Sequence, residues 1–342
     1  MRPGIDPMRL PEVDSSRCLR LRCHTFGCGR CAEICPSGAL GFEGRVPALD
    51  SRACTGCGLC VSACPVDGLA GSMPGVEALA ARLSCVPSPV LGCTGADGVE
   101  AHARVPCLGY LTEEDLAALA VLVPQGVQLN ATRCPACPRK GATEQVAERA
   151  ARIAELRPGG QVRIARSPRD LSFRERSLDR RSFLRSLGWR TTAGASALLK
   201  SAAPADPCGR SAKQLPRRRK VLRLALEHAQ PRAAARLAHA FSFTLTVDDR
   251  CTACPRCAAM CPTGALGRVG EGPDRRIELD PQRCSGYRAC EAFCPSGALR
   301  IHGAGAGPGE PTGSFRRDVC ETVPLHAPKA VAATTASAPS AW

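Results

Sequence analysis

Aromatic side chains are scarce: two Trp, two Tyr and eight Phe make up 4% of 342 residues, so any hydrophobic core is small. Histidine is scarce too, at six, and no Ser/His/Asp arrangement stands out, which argues against triad-type nucleophilic catalysis. No Gly-rich nucleotide loop sits in a strand–helix setting; "GAGAGPGE", near the C-terminal end, reads as low complexity. No run approaches the roughly 18 apolar residues that span a bilayer. The opening "MRPGIDPMRLPEVD" has no apolar h-region, so no secretory signal is expected. Acidic residues are outnumbered, 31 against 46 Lys or Arg, which leaves a net charge of +15.

That charge is uneven. Between Leu171 and Gln230, fourteen Lys or Arg face Glu175, Asp179, Asp206 and Glu227, so this stretch alone supplies +10. An acidic protein or an anionic membrane surface suits such a segment, as a peripheral contact. Nucleic acid is not expected, because no zinc-finger, homeodomain or RRM pattern accompanies the charge. "LPRRRKVLRLALEHAQ" predicts an amphipathic basic helix whose positive face suits an acidic redox partner.

Cysteine is the abundant exception, with 23 residues. They sit in tight clusters, as metal ligands do, and predict a reducing cytoplasmic setting rather than a disulfide scaffold. The string Cys-Pro-x-x-(Ala/Gly)-Leu occurs four times: "CPSGAL" from Cys35, "CPVDGL" from Cys64, "CPTGAL" from Cys261 and "CPSGAL" from Cys294. The copies form two pairs and organise the chain. The expected divisions are 1–74 and 241–303 for the paired motifs, 75–170 for a region of different texture, 171–240 for the basic linker and 304–342 for a disordered Ala/Gly/Pro/Thr-rich tail.

The paired motifs resemble bacterial ferredoxins, whose signature is C-x2-C-x2-C-x3-C-P. In that family three close thiolates hold one iron–sulfur cube and the fourth crosses to the other. The resemblance implies two α+β ferredoxin-like modules. Cys251, Cys254, Cys257 and Cys294 would hold one cluster, and Cys261, Cys284 and Cys290 most of another. Cys54, Cys57 and Cys60 with Cys35 would hold a third. The remaining motif departs from the family spacing: it reads C-x4-C-x2-C-x3-C-P through Cys23, Cys28, Cys31 and Cys35, with Thr25 at the usual first position and Cys18 upstream. Cys64 and either Cys23 or Cys18 would complete its cluster; the shorter loop favours Cys23. About three [4Fe–4S] clusters are implied. "CSGYRAC" aligns with "CTGCGLC" without a gap, and Tyr287 stands where the other copy has Cys57. Seven-iron ferredoxins resemble this pattern by lacking the same cysteine, which implies a [3Fe–4S] cluster, or a [4Fe–4S] cluster with one labile iron, on Cys261, Cys284 and Cys290.

The middle region alternates short β-rich runs, "SPVLGC", "ARVPC", "VQLNATRC" and "QVRIARS", with helical patterns, "TEEDLAALAVLV" capped by Thr112 and "ATEQVAERAARIAEL" with Val146, Ala147, Ala150, Ile153 and Ala154 on one face. This predicts an α/β unit with a parallel sheet. Cys93, Cys107, Cys134 and Cys137 fall at carboxyl ends of its strands, where function gathers, and form a candidate metal site. The residues "LGC", "VPCLGYL" and "CPAC" resemble the small iron–sulfur subunit linking methyl-viologen-reducing hydrogenase to heterodisulfide reductase, which implies a [2Fe–2S] cluster. A four-thiolate zinc site and buried unligated thiols are the alternatives.

"SLDRRSFLRSLG", residues 177–188, resembles a twin-arginine export motif, though its internal position argues against export. Together these features predict a multi-cluster electron carrier, more a subunit of a larger oxidoreductase than a stand-alone enzyme. Flavoprotein, hydrogenase or molybdoenzyme subunits would be its partners. A redox or oxygen sensor with a labile cluster at the Tyr287 site is the alternative.

Overall fold

The computed structural model describes residues 10–71, 73–95, 99–137, 139, 141–174, 213–303 and 321–322. The twin-arginine-like stretch, Cys208 and Cys320 lie outside the described residues.

The N-terminal module is built from small elements. They are β1 (Glu12–Val13), α1 (Leu19–Arg22), α2 (Arg30–Glu33), β2 (Leu40–Glu43), β3 (Val46–Leu49), α3 (Leu59–Ala63) and β4 (Leu69–Ala70). β2 and β3 form an antiparallel hairpin, and β1 pairs antiparallel with β4. Such two-stranded pieces are marginal alone. Here they close around cysteines, which pack with the apolar side chains of the module.

The middle unit follows: α4 (Val76–Leu83), β5 (Val90–Cys93), β6 (Ala103–Val105), α5 (Glu113–Leu122), β7 (Val127–Asn130), α6 (Gly141–Glu155) and β8 (Val162–Ala165). The sheet is wholly parallel, in the order β6-β5-β7-β8; α5 and α6 supply the crossovers from β6 to β7 and from β7 to β8, while among the described residues no helix stands between β5 and β6. Thr112 caps α5 through a capping box: its hydroxyl accepts from the Asp115 amide at 3.2 Å, and the Asp115 carboxylate accepts from the Thr112 amide at 3.0 Å. Val146, Ala150 and Ile153 of α6 are buried as the 3.6-residue period predicts, whereas Ala147 is half-buried and Ala154 is exposed at the edge of that face.

β7 is entered through Gly126, whose φ is +84° and whose added Cβ would lie 2.6 Å from the Gln161 carbonyl oxygen. Gly126→Ala is expected to lower stability by about 1–3 kcal/mol through strain and contact together. The denaturant midpoint measures this, and an unaltered midpoint would refute it.

The segment expected as a basic linker carries two ordered helices, α7 (Arg217–His228) and α8 (Pro231–Ala240). Val221, Ala225 and Leu237 are buried in the same core cluster as Leu116 and Leu119 of α5. The basic face expected to meet an acidic partner is instead turned inward at its start. Arg217 forms a two-pronged ion pair with Asp115, and Arg218 donates to both carboxylate oxygens of Glu114 at 3.0 and 3.2 Å. Arg219 is buried and donates to the carbonyls of Phe241 at 2.9 Å and Pro281 at 2.7 Å. The cause is α5, whose first turn carries Glu113, Glu114 and Asp115 and buries the last two. Buried carboxylates require cationic partners, and the nearest arginines supply them.

The C-terminal module comprises β9 (Phe243–Val247), α9 (Arg256–Met260), β10 (Leu266–Val269), β11 (Arg276–Leu279), α10 (Ala289–Phe293) and β12 (Leu299–Gly303). β9 pairs antiparallel with β12, and β10 with β11. Of the tail expected to be disordered, Glu321–Thr322 is described, as a short strand β13 that pairs with β11. Lys213 reaches the end of α9, donating to the carbonyls of Ala258 at 2.6 Å, Ala259 at 3.2 Å and Cys261 at 2.8 Å. A lysine there satisfies carbonyls that the helix leaves open. The stretch from Lys213 to Arg219 thus touches all three units, since the Arg217 amide also donates to Asp67 at 2.6 Å.

Candidate metal centres

Each Cys-Pro repeat makes the same turn. The fourth residue is left-handed in all four copies: Gly38 at φ +63°, Asp67 at +52°, Gly264 at +68° and Gly297 at +62°. Proline after the cysteine removes a donor and turns the chain. Asp67, the one non-glycine, is held by Arg17 at 3.5 Å and by the Arg217 amide. The turn aims backbone N–H groups at sulfur: Gly68 N lies 3.1 Å from Cys64 Sγ, and Ala265 N lies 3.3 Å from Cys261 Sγ.

A hydroxyl two residues on separates these thiols chemically. Cys35 has Ser37 at 3.7 Å, Cys261 has Thr263 at 3.3 Å and Cys294 has Ser296 at 3.5 Å. Burial pushes these three thiols up, but hydrogen bonds from hydroxyl and amide outweigh it and leave each below the ordinary value. Cys64 has Val66 in that place; burial prevails there and its thiol is raised.

The thiols assemble in groups. Cys60 is pushed up to about 12 by burial, then by Cys57, Cys54 and Cys35. Cys257 is pushed up to about 12 by burial, then by Cys254, Cys251 and Cys294. Both sets are those implied by the ferredoxin crossover. Four thiolates cannot share a buried space without a cationic group to take their charge, and iron–sulfur clusters accept soft sulfur donors. The amides of Gly56, 3.5 Å from Cys54 Sγ, and of Ala253, 3.4 Å from Cys251 Sγ, complete a polar cradle suited to cluster-bound sulfur.

The remaining N-terminal group distinguishes Cys18 from Cys23. Cys31 is pushed up to about 11 by burial, then by Cys28, Cys64 and, more weakly, Cys18. β1 delivers Cys18 there: Val13 pairs with Leu69, the Asp14 amide donates to the Gly68 carbonyl at 3.0 Å, and the Cys18 amide donates to the Asp14 carbonyl at 2.9 Å. The C-terminal module repeats the device, with Val247 on Leu299, Asp248 N on Ala298 O at 3.0 Å and Cys251 N on Asp248 O at 3.1 Å. Cys18 therefore occupies the place of Cys251. An added Cβ on Gly68 would lie 2.9 Å from Cys18 Cα, so the two backbones touch. Cys23 is fully buried at the end of α1, its sulfur 3.2 Å from Thr25 Oγ1. The loop after it leans on the C-terminal module: Thr25 donates to the Ala292 carbonyl at 3.0 Å, and His24 meets Phe293 edge to face. Arg45 braces this loop through the carbonyls of Arg20, Cys23 and His24.

Around Tyr287, the loop keeps the backbone shape of the Cys54–Cys60 loop although a tyrosine stands in place of Cys57. Gly56 and Gly286 share a left-handed φ, +60° and +65°, and so do Gly58 at +74° and Arg288 at +61°. A non-glycine in that region costs conformational energy. Cys261, Cys284, Tyr287 and Cys290 are all buried, in one apolar cluster. Cys290 is raised by burial, then by Cys284 and Cys261. The Tyr287 hydroxyl donates to Cys261 Sγ at 3.3 Å, and burial keeps the phenol protonated.

Three of the four middle cysteines fall at strand ends, as alternation implied. Cys93 closes β5, Cys107 follows β6, and Cys134 follows β7 at a tight turn that leads to Cys137. Cys134 is raised by burial and feels Cys93 and Cys137, while Cys107, pushed up to about 11 by burial, feels Cys57 and Cys93. Among the described residues, no three His, Cys, Asp or Glu side chains are disposed to hold a single metal ion. Cys85 stands apart, its thiol 3.3 Å from the Ala81 carbonyl.

One contact at the site has no signature in the sequence. Arg139 donates to the Thr55 carbonyl at 2.8 Å and to its hydroxyl at 3.1 Å, joining the middle unit to the Cys54–Cys57 loop. Its neighbour in the chain, "CPAC", was legible, but a single arginine carries no periodic signal.

These modules and thiol groups define a ferredoxin-type iron–sulfur architecture. A family model described as 4Fe-4S dicluster domain matches residues 22–68 and again 250–298. Two such domains support an iron–sulfur electron-transfer protein. The first match takes in Cys23 and not Cys18. No curated protein and no solved structure matches the chain. No helix among the described residues is long and apolar enough to cross a membrane.

Proposed function

We propose that the chain is an electron-relay subunit of a larger oxidoreductase, working in the cytoplasm between a donor and an acceptor protein. The observation that carries this reading is the grouping of cysteines into sets with amide donors aimed at sulfur. When bound, the clusters supply one-electron oxidation and reduction. The chain holds and orients them, and sets their potentials through hydrogen bonds, charge and burial.

In this reading Cys18, Cys28, Cys31 and Cys64 hold one [4Fe–4S] cluster, and Cys35, Cys54, Cys57 and Cys60 a second. Cys251, Cys254, Cys257 and Cys294 hold a third. Cys261, Cys284 and Cys290 hold a [3Fe–4S] cluster beside Tyr287. Cys93, Cys107, Cys134 and Cys137 hold a smaller [2Fe–2S] cluster, in line with the hydrogenase-linked subunit that the middle region resembles. The deep burial of the Tyr287 site favours relay over sensing, since a sensor cluster must meet its oxidant.

The test is anaerobic purification of the full chain with iron and acid-labile sulfide assays and EPR of oxidised and reduced states. A chain without iron and sulfide would overturn the reading. Cys18→Ser is expected to remove about one [4Fe–4S] cluster's iron, while Cys23→Ser leaves iron content unaltered. The opposite result would return the ligand role to Cys23.

A further inference from the structure

Along the chain, the middle unit separates the two dicluster modules. In space the order is different. Cys57 and Leu59 of the N-terminal module and Ala142 of α6 form one apolar cluster, against which Cys107 and Ile34 pack. Cys60, Leu40 and Leu69 form a second, which gathers Cys31, Cys35 and Cys64 and joins the two thiol groups inside the N-terminal module. Leu19 and Val66 of that module are buried with Cys257, Cys284 and Cys290 in a third, against which Cys28 and Cys64 pack. Polar contacts reinforce both outer junctions. Arg139 clamps Thr55 at the first. At the second, Arg22 donates to the carbonyls of Ala259 at 3.1 Å and Met260 at 3.4 Å, and Thr25 to that of Ala292. Among the described residues, the apolar cluster that takes in Cys93 and Cys134 includes no cysteine of the C-terminal module.

We infer that the N-terminal module is the bridge of the relay: the cysteine groups run in the order middle unit, Cys35/Cys54/Cys57/Cys60, Cys18/Cys28/Cys31/Cys64, C-terminal module. This rests on the relay reading and adds its wiring. The departure from ferredoxin spacing then has a use. The residues between Cys18 and Cys28 form α1 and the loop through Thr25, and these are the parts that meet the C-terminal module. The middle unit and the C-terminal module become the two ends of the line, where a donor and an acceptor protein would dock without competing for one surface.

The order is read by magnetic coupling in the full chain, purified anaerobically and reduced with dithionite. Iron and sulfide are measured first; their absence would sink the relay reading itself. With clusters present, the EPR signal of the middle site is expected to be broadened by a reduced neighbour. Cys54→Ser with Cys60→Ser should abolish that broadening. Cys254→Ser with Cys257→Ser should leave it intact. The reverse pattern overturns the order, and so does a middle site with no cluster or no coupling partner in the unsubstituted chain. Should the first pair fail to fold, Arg139→Gln serves in its place: loosening the Thr55 clamp should weaken the broadening while iron content stays constant, and unaltered broadening counts against the junction.

Discussion

Tyr287→Cys is expected to convert an oxidised 3Fe-type EPR signal into a reduced 4Fe-type one and to raise the iron content by about one atom per chain. Gly286 and Arg288 hold the same left-handed conformations as Gly56 and Gly58, so the loop is still shaped for a cluster. Tyr287 is 6% exposed and Cys57 is 8% exposed, so the two side chains fill equivalent interior positions. Only the donor differs. A phenol held protonated by burial offers a hydrogen bond to Cys261 where the other loop offers a thiolate to iron. Restoring the thiolate therefore restores the fourth corner. Tyr287→Phe separates the two roles: it keeps the ring, removes the donor to sulfur, and should leave the cluster type unaltered while lowering its potential. An identical EPR spectrum in Tyr287→Cys would defeat the assignment.

Arg217→Met is expected to cost about 3–5 kcal/mol, because it strands a buried carboxylate. Asp115 is 0% exposed and takes both Arg217 prongs, at 2.5 and 3.1 Å. The guanidinium also sits 4.8 Å from the centre of the buried Tyr110 ring, an added favourable contact. Thr112 still donates its amide and hydroxyl to Asp115, at 3.0 and 2.9 Å, which places the loss toward the lower end of that range. The double variant Arg217→Met with Asp115→Asn should recover part of the loss, since the uncompensated charge is then gone. Denaturant unfolding followed by circular dichroism measures all three chains. A single variant as stable as the unsubstituted chain would show that the pair contributes no net stability.

Much of the site was legible because cluster ligation imposes short-range spacing. Cys-Pro turns and C-x2-C-x2-C runs are local in sequence, and the ferredoxin resemblance they carry implied the Cys54/Cys57/Cys60/Cys35 and Cys251/Cys254/Cys257/Cys294 groups. The parallel sheet was legible for a similar reason: β-rich runs alternating with helical patterns admit few topologies. The first N-terminal group was not. Loop length favoured Cys23, whereas the pairing of β1 with β4 brings the Cys18 backbone against Gly68 from outside the motif. Strand pairing across the module places Cys18, and no spacing rule encodes that.

The basic segment shows the same division. Its charge and helical period are properties of sequence, and both survive in α7. Where its arginines point is set by α5, whose buried Glu114 and Asp115 lie far away in the chain. Sequence alone determined that this protein gathers thiols in ferredoxin-type groups, that one group lacks a corner, and that a parallel α/β unit carries four more cysteines. Tertiary structure alone decided where β1 places Cys18, which face the arginines meet, and which units the N-terminal module packs against. The physical reason is range: ligand spacing and periodicity act over a few residues, whereas apolar packing and charge pairing act between surfaces that only the folded chain brings together.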